Sequence, residues 1–174
     1  MISASTLNSE LINKIAQDFA QATSLAVVVV NIHGDEISEL FNFTPFCQLM
    51  RQHPQHSTRC RMSDRCGGLE ASKTDQLCIY RCHAGLTDFS IPLVIAGHLV
   101  GFVLCGQVRL SNDVELVDIL NVDDRWQADP ELLKAFRDVP EMDYARVIAS
   151  ADLLKLIVEN CLKKQLNFVV IKDN

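Results

Sequence analysis

The chain has 174 residues, 48% of them apolar, and a formal net charge of −6. That length suits one domain, residues 1–174, with a real core, and the apolar share excludes a disordered chain. The acidic balance excludes a surface built to coat nucleic acid, which needs a basic face.

The first helix is predicted over 6–22. Leu7, Leu11, Ile15 and Phe19 recur at a spacing of four, with Ala22 next, and Ser5 or Thr6 can cap it. The β-branched run "SLAVVVVNI" reads as a buried strand over 24–32, "HGDE" as a turn, and "EISELF" as the returning strand of a hairpin. "TPFCQLMRQHP" reads as a short helix ended by Pro54. A second helix is predicted over 59–75, weakened or broken at Gly67 and Gly68.

Three strands follow, over 77–85, 86–97 and 98–110, with Ala96 and Gly97 as a hairpin turn. Residues 113–136 read as acidic, partly helical connecting structure. A long helix closes the chain over 143–167, with Val147, Ala151, Leu154, Val158, Cys161 and Leu162 as its apolar stripe. That stripe reads either as core or as the seam of a homodimer through Val147, Leu154 and Cys161. The order predicts an α+β fold: a PAS-like, five-stranded antiparallel sheet with flanking helices and a long C-terminal helix.

No apolar run reaches the length of a membrane span, and the first residues lack the pattern of a signal peptide. A cytoplasmic chain is expected. Seven cysteines are many for that reducing compartment. Cys105 and Cys161 sit on apolar stripes and read as small core hydrophobes. Cys47, Cys60, Cys66, Cys78 and Cys82 crowd into one polar, basic segment.

Zinc favours cysteine pairs two to four residues apart. Here Cys78 and Cys82 have three residues between them, and Cys60 and Cys66 have five. A zinc or redox-sensing site on Cys47, Cys60, Cys66 and Cys82 is one reading, and packed, reduced thiols are the other. Arg59, Arg61, Arg65 and Arg81 would lower a neighbouring thiol's pKa, which makes reactivity a third.

Catalysis is not expected. Cys82 and His83 are adjacent, and neighbours on a strand point to opposite faces, so they do not easily form a dyad; His53, His56 or His98 could serve Cys82, but nothing in the sequence aims one at it. The chain also lacks a phosphate-binding glycine loop. His83, Asp88, Ser90 and Gln107 are polar residues in apolar strands, and Gly106 leaves room beside Gln107. They read either as a self-satisfied core network or as the polar edge of a small ligand cavity.

The strings "FCQLMRQHP", "RCRMSDR" and "YRCHAGLTDFSIPLVIAGHLVGFVLCGQV" resemble the PocR sensory domain family. The resemblance covers about 7–110 well, and extends to the terminal helix. It implies a PAS-like fold that senses small hydrocarbon derivatives, here a short diol such as propanediol. It further implies a place N-terminal to an AraC-type helix-turn-helix domain, in regulators of propanediol utilisation and cobalamin synthesis. That domain is not in this sequence, so the chain reads as a portion of a longer protein that reaches DNA only through it. By motif, Cys47, Cys60, Cys82, His83, Asp88, Gly106 and Gln107 fall on the family's positions. Cys66 and Cys78 lie outside its pattern, which puts a four-cysteine site in doubt.

Overall fold

A computed structural model of the chain describes residues 9–74 and 77–172, and the surroundings of its side chains as far as Cys161. The elements run α1 (Ser9–Thr23), β1 (Ala26–Asn31), α2 (Pro45–Gln52), α3 (Ser57–Thr74), β2 (Cys78–Arg81), β3 (Thr87–Ile95) and β4 (His98–Leu110). Then come β5 (Val117–Asp118), a 3-10 turn over Arg125–Ala128, α4 (Pro130–Arg137), β6 (Glu141–Met142) and α5 (Tyr144–Lys172). The expected α+β class is what the chain adopts.

Among the described residues the sheet has six strands, ordered β1-β4-β3-β2-β5, with β6 on the end of β4. The four longer strands pair antiparallel. β5 and β6, two residues each, pair parallel, so the sheet is mixed. The hairpin partner expected at "EISELF" survives only as two isolated bridges, Val27 to Phe41 and Val30 to Glu36. The cause is local. Ile37 N and Ser38 N both donate to Val29 O, and Ser38 Oγ takes the Val29 N–H, so a side chain replaces one rung of the ladder.

Helices cover both faces of the sheet. On one, α1 and α5 bury Val27, Val29, Phe89, Ile91 and Val103. The buried residues of α1 are Ile12, Ala16, Phe19 and Ala20, one position round from the stripe predicted on Leu11 and Ile15. Its predicted start, with Leu7, lies outside the described residues, as do the surroundings of Leu162. On α5, Val147, Ala151, Leu154 and Val158 are buried in this core. Val147 and Leu154 are therefore committed to the sheet and present no dimer surface; among the described residues of α5, Ile148, Leu153 and Leu156 are the exposed large apolar ones.

On the other face lie α2 and α3. Thr44 caps α2 by accepting from Cys47 N at 3.3 Å, and Pro45 occupies the first turn, where its missing N–H is harmless. α3 runs unbroken through Gly67 and Gly68. Those two glycines are there for contact: a Cβ on either would lie 2.3 Å from the ring of Tyr80 or Phe102. The helix therefore sits close on the sheet, and its buried face is Ser63, Asp64, Gly67, Gly68 and Ala71. No helix among the described residues is long and apolar enough to cross a membrane.

Candidate ligand-binding site

The site begins with an irregularity in β4. Asp88 pairs with Gly106 and Thr87 with Val108, so Gln107 is an extra residue in β4 and forms a bulge. Gly106 has φ +145° and Gln107 φ +64°. A Cβ on Gly106 would fall 2.6 Å from Thr87 O and 2.7 Å from Asp88 Oδ1, so glycine alone fits. The bulge turns Gln107 N toward Asp88 Oδ1, at 2.8 Å. It also aims the Gln107 side chain at α2, where Oε1 accepts from Thr44 N at 2.9 Å and from Thr44 Oγ1 at 3.2 Å. One residue thus ties the sheet to the N-cap of α2.

Between this bulge and the α2–α3 layer lies a cavity of about 40 Å³. That is room for a few waters or a molecule of a handful of heavy atoms. Its apolar wall includes Ala26, Val28, Phe43, Phe46, Met50 and Leu104. Its polar edge carries Arg51, Asp64, His83, Asp88 and Gln107. Arg51 Nη2 donates to Asp64 Oδ2 at 2.6 Å, and Nη1 to Glu36 Oε1 at 2.7 Å. Its guanidinium stands 5.0 Å over the Phe43 ring.

Burial sets the protonation states here. It pushes Asp88 up to about 7, against the Gln107 N–H that favours the carboxylate; Asp64 adds to the rise and Arg51 opposes it. It pushes His83 down to about 4, with Arg59 and His56 adding to the fall. It pushes Cys60 up to about 12 and raises Cys47 and Cys82 as well. Arg51 acts in the other direction on Cys47 and Cys60 but does not outweigh burial. The expected activation of these thiols by nearby arginines is not what the fold produces. Cys60 Sγ lies 3.3 Å from His83 Nε2, so at neutral pH this is a thiol beside an uncharged imidazole. Such a pair is a weak nucleophile.

His83, Asp88, Gly106 and Gln107 line the cavity as a group. Ser90 does not: its hydroxyl donates to Tyr80 Oη at 3.3 Å, in the bland structural role a buried hydroxyl fills. Of the four cysteines considered for a metal, Cys47, Cys60 and Cys82 line the cavity and Cys66 does not. Six residues along α3 from Cys60, it lies about a third of a turn away from it. Among the described residues, no three Cys, His, Asp or Glu side chains are arranged to hold a metal ion.

Cys82 and His83 are not split between two faces, because β2 ends at Arg81. A turn with Gly85 at φ +91° follows, closed by Gly85 N to Cys82 O at 2.9 Å, and both residues reach the cavity from it. Arg51, Asp64 and Thr44 were missed from sequence. Asp64 left a signal: it is a carboxylate on the same helical stripe as Gly67, Gly68 and Ala71.

A small cavity with a polar edge, set in one face of an α+β sheet, suits a ligand sensor. The chain matches the family of the sensory domain found in PocR over residues 5–166, and it belongs to that family. It is 95% identical over all 174 residues to Regulatory protein PocR of Salmonella typhimurium strain LT2, and spans 57% of that protein's length.

Proposed function

We propose that this sensory domain recognises a small, uncharged diol such as propanediol. It does so in the cytoplasm, without catalysis, as part of a transcriptional regulator that acts through an attached AraC-type DNA-binding domain. The observation that carries the reading is the cavity of about 40 Å³ with Asp88, His83 and Gln107 on one edge and apolar side chains opposite. Its size suits a molecule of a handful of heavy atoms, far smaller than a nucleotide or a corrinoid. Its charge disfavours an anion, since the one guanidinium on its edge is already held by Asp64 and Glu36. A short diol matches two polar contacts to an apolar remainder. The same reading keeps a homodimer, with its α5 contacts moved from Val147 and Leu154 to the exposed Leu153 and Leu156.

Magnitudes bound the test. At a ceiling of about −1.5 kcal/mol per heavy atom, a five-atom ligand binds no tighter than roughly micromolar. At a hundred times Kd it adds about 2.7 kcal/mol of stability, a rise of roughly 5–10 °C in Tm for a domain of this size. Calorimetric titration and thermal melts with 1,2-propanediol check this. 1-Propanol, which leaves a buried polar group unmatched, is expected to bind weaker by about 1–3 kcal/mol. No heat and no melting shift with any short diol sinks the reading.

A further inference from the structure

We infer that Arg51 is the gate through which a small uncharged ligand reaches the cavity, and that the polar groove outside it is the vestibule; this rests on the sensor reading above. Arg51 lines both spaces. Inward it borders the cavity with Asp64 and Phe43. Outward it borders a surface groove with Glu36, Gln48, Gln52, Ser57 and Arg61. The other cavity-lining residues that are not fully buried are Cys47, Cys60 and Asp88, and none of them borders that groove.

The two bonds of the guanidinium differ in kind. Asp64, the inner partner, has a side chain only 8% exposed, while Glu36, the outer one, is 38% exposed. Removing the inner bond would leave a buried charge unpaired, so it holds. The outer bond faces water and is weak. Glu36 itself sits on the segment after β1, which pairs with β1 through isolated bridges rather than a continuous ladder, with Ser38 Oγ on Val29 N beside them. Breaking Glu36–Arg51 lets the guanidinium pivot on Asp64 and leave its place over Phe43, which widens the passage between cavity and groove. Asp64 keeps the charge paired throughout, so the opening needs no buried ion left alone.

The test is Glu36→Gln, a substitution at the surface. Stopped-flow binding of 1,2-propanediol is expected to show association and dissociation both faster by about 1.5- to 5-fold, with Kd unchanged. In the unsubstituted chain, raising salt to about 1 M, where screening acts over about 3 Å, reproduces the acceleration. In Glu36→Gln, salt has no such effect, because an uncharged ligand feels no steering of its own. A second readout needs no ligand. The thiol of Cys82, inside the cavity, is labelled by a small uncharged methylthiosulfonate and followed by mass spectrometry, with Cys78, outside it, as reference. Glu36→Gln is expected to speed Cys82 by the same factor and leave Cys78 alone. Unchanged Cys82 labelling, or binding rates indifferent to both Glu36→Gln and salt, overturns the gate. If the unsubstituted chain binds no diol, the sensor reading falls, and Cys82 labelling alone decides the gate.

Discussion

Replacing Asp88 with asparagine removes a buried charge while keeping the shape of the side chain. Asn can still accept from Gln107 N through the oxygen that does so now, at 2.8 Å. What changes is the titration. Burial raises Asp88 from an ordinary 3.8 to about 7 in the folded chain. Between those values the folded protein binds a proton that the unfolded chain has released. Stability from this group is therefore fully present below pH 3.8 and is lost as pH rises through 7.

Each pKa unit corresponds to about 1.36 kcal/mol, so roughly three units set a ceiling near 4 kcal/mol. Asp88 is only partly shielded from solvent, which screens part of that, and about 1–3 kcal/mol is the expected loss. Asp88→Asn has no such loss. Urea unfolding at several pH values is expected to show the two proteins alike near pH 4, and the variant more stable by about 1–3 kcal/mol at pH 8. His83 works in the opposite sense. Its folded value of about 4 lies below its unfolded 6.5, so its contribution is present above pH 6.5 and is lost as pH falls through 4. It is common to both proteins and cancels in their difference. A flat difference from pH 4 to pH 8, or a variant less stable at pH 8, refutes the reasoning.

Two further outcomes follow from the same geometry. Gly106→Ala puts a Cβ 2.6 Å from Thr87 O at φ +145°. Strain of about 2–3 kcal/mol is expected, read by calorimetry as a Tm lower by roughly 5–10 °C; a melt within about 2 °C of the parent contradicts it. On α5, Leu154 is fully buried and Leu153 is 51% exposed. Leu154→Ala is expected to cost about 2–5 kcal/mol in denaturant unfolding, and Leu153→Asp less than about 0.5 kcal/mol while separating the proposed dimer in sedimentation. Equal losses refute the orientation of α5, and unchanged sedimentation of Leu153→Asp refutes the dimer contact.

Much of the fold was legible in the chain. The valine run became β1, Ala96 and Gly97 turn the β3–β4 hairpin at φ +50° and +77°, and the stripe of α5 through Val147, Ala151, Leu154 and Val158 faces the core. Periodicity encodes these elements because each depends on residues a few positions apart. The expected second strand at "EISELF" failed for a reason that periodicity cannot see: Ser38 Oγ takes a backbone rung. Gly67 and Gly68 misled for a similar reason, since what matters there is a ring from a distant strand rather than local helix propensity.

The site was legible as a set of residue types and no further. Polar residues in apolar strands and the family's strings pointed to His83, Asp88, Gly106 and Gln107, and the fold gathers them around one cavity. Chain order alone did not reveal that Ser90 is spent on Tyr80, that Cys66 faces elsewhere, or that Gln107 grips Thr44, 63 residues away. Nor could it show the state of the thiols. Arginines near in sequence argue for thiolates, but desolvation is a sum over everything packed around a group. Local pattern therefore determined which elements form and which residues are candidates. Tertiary packing decided which of them share a cavity and which carry charge, because burial and long-range hydrogen bonds exist only once the layers close.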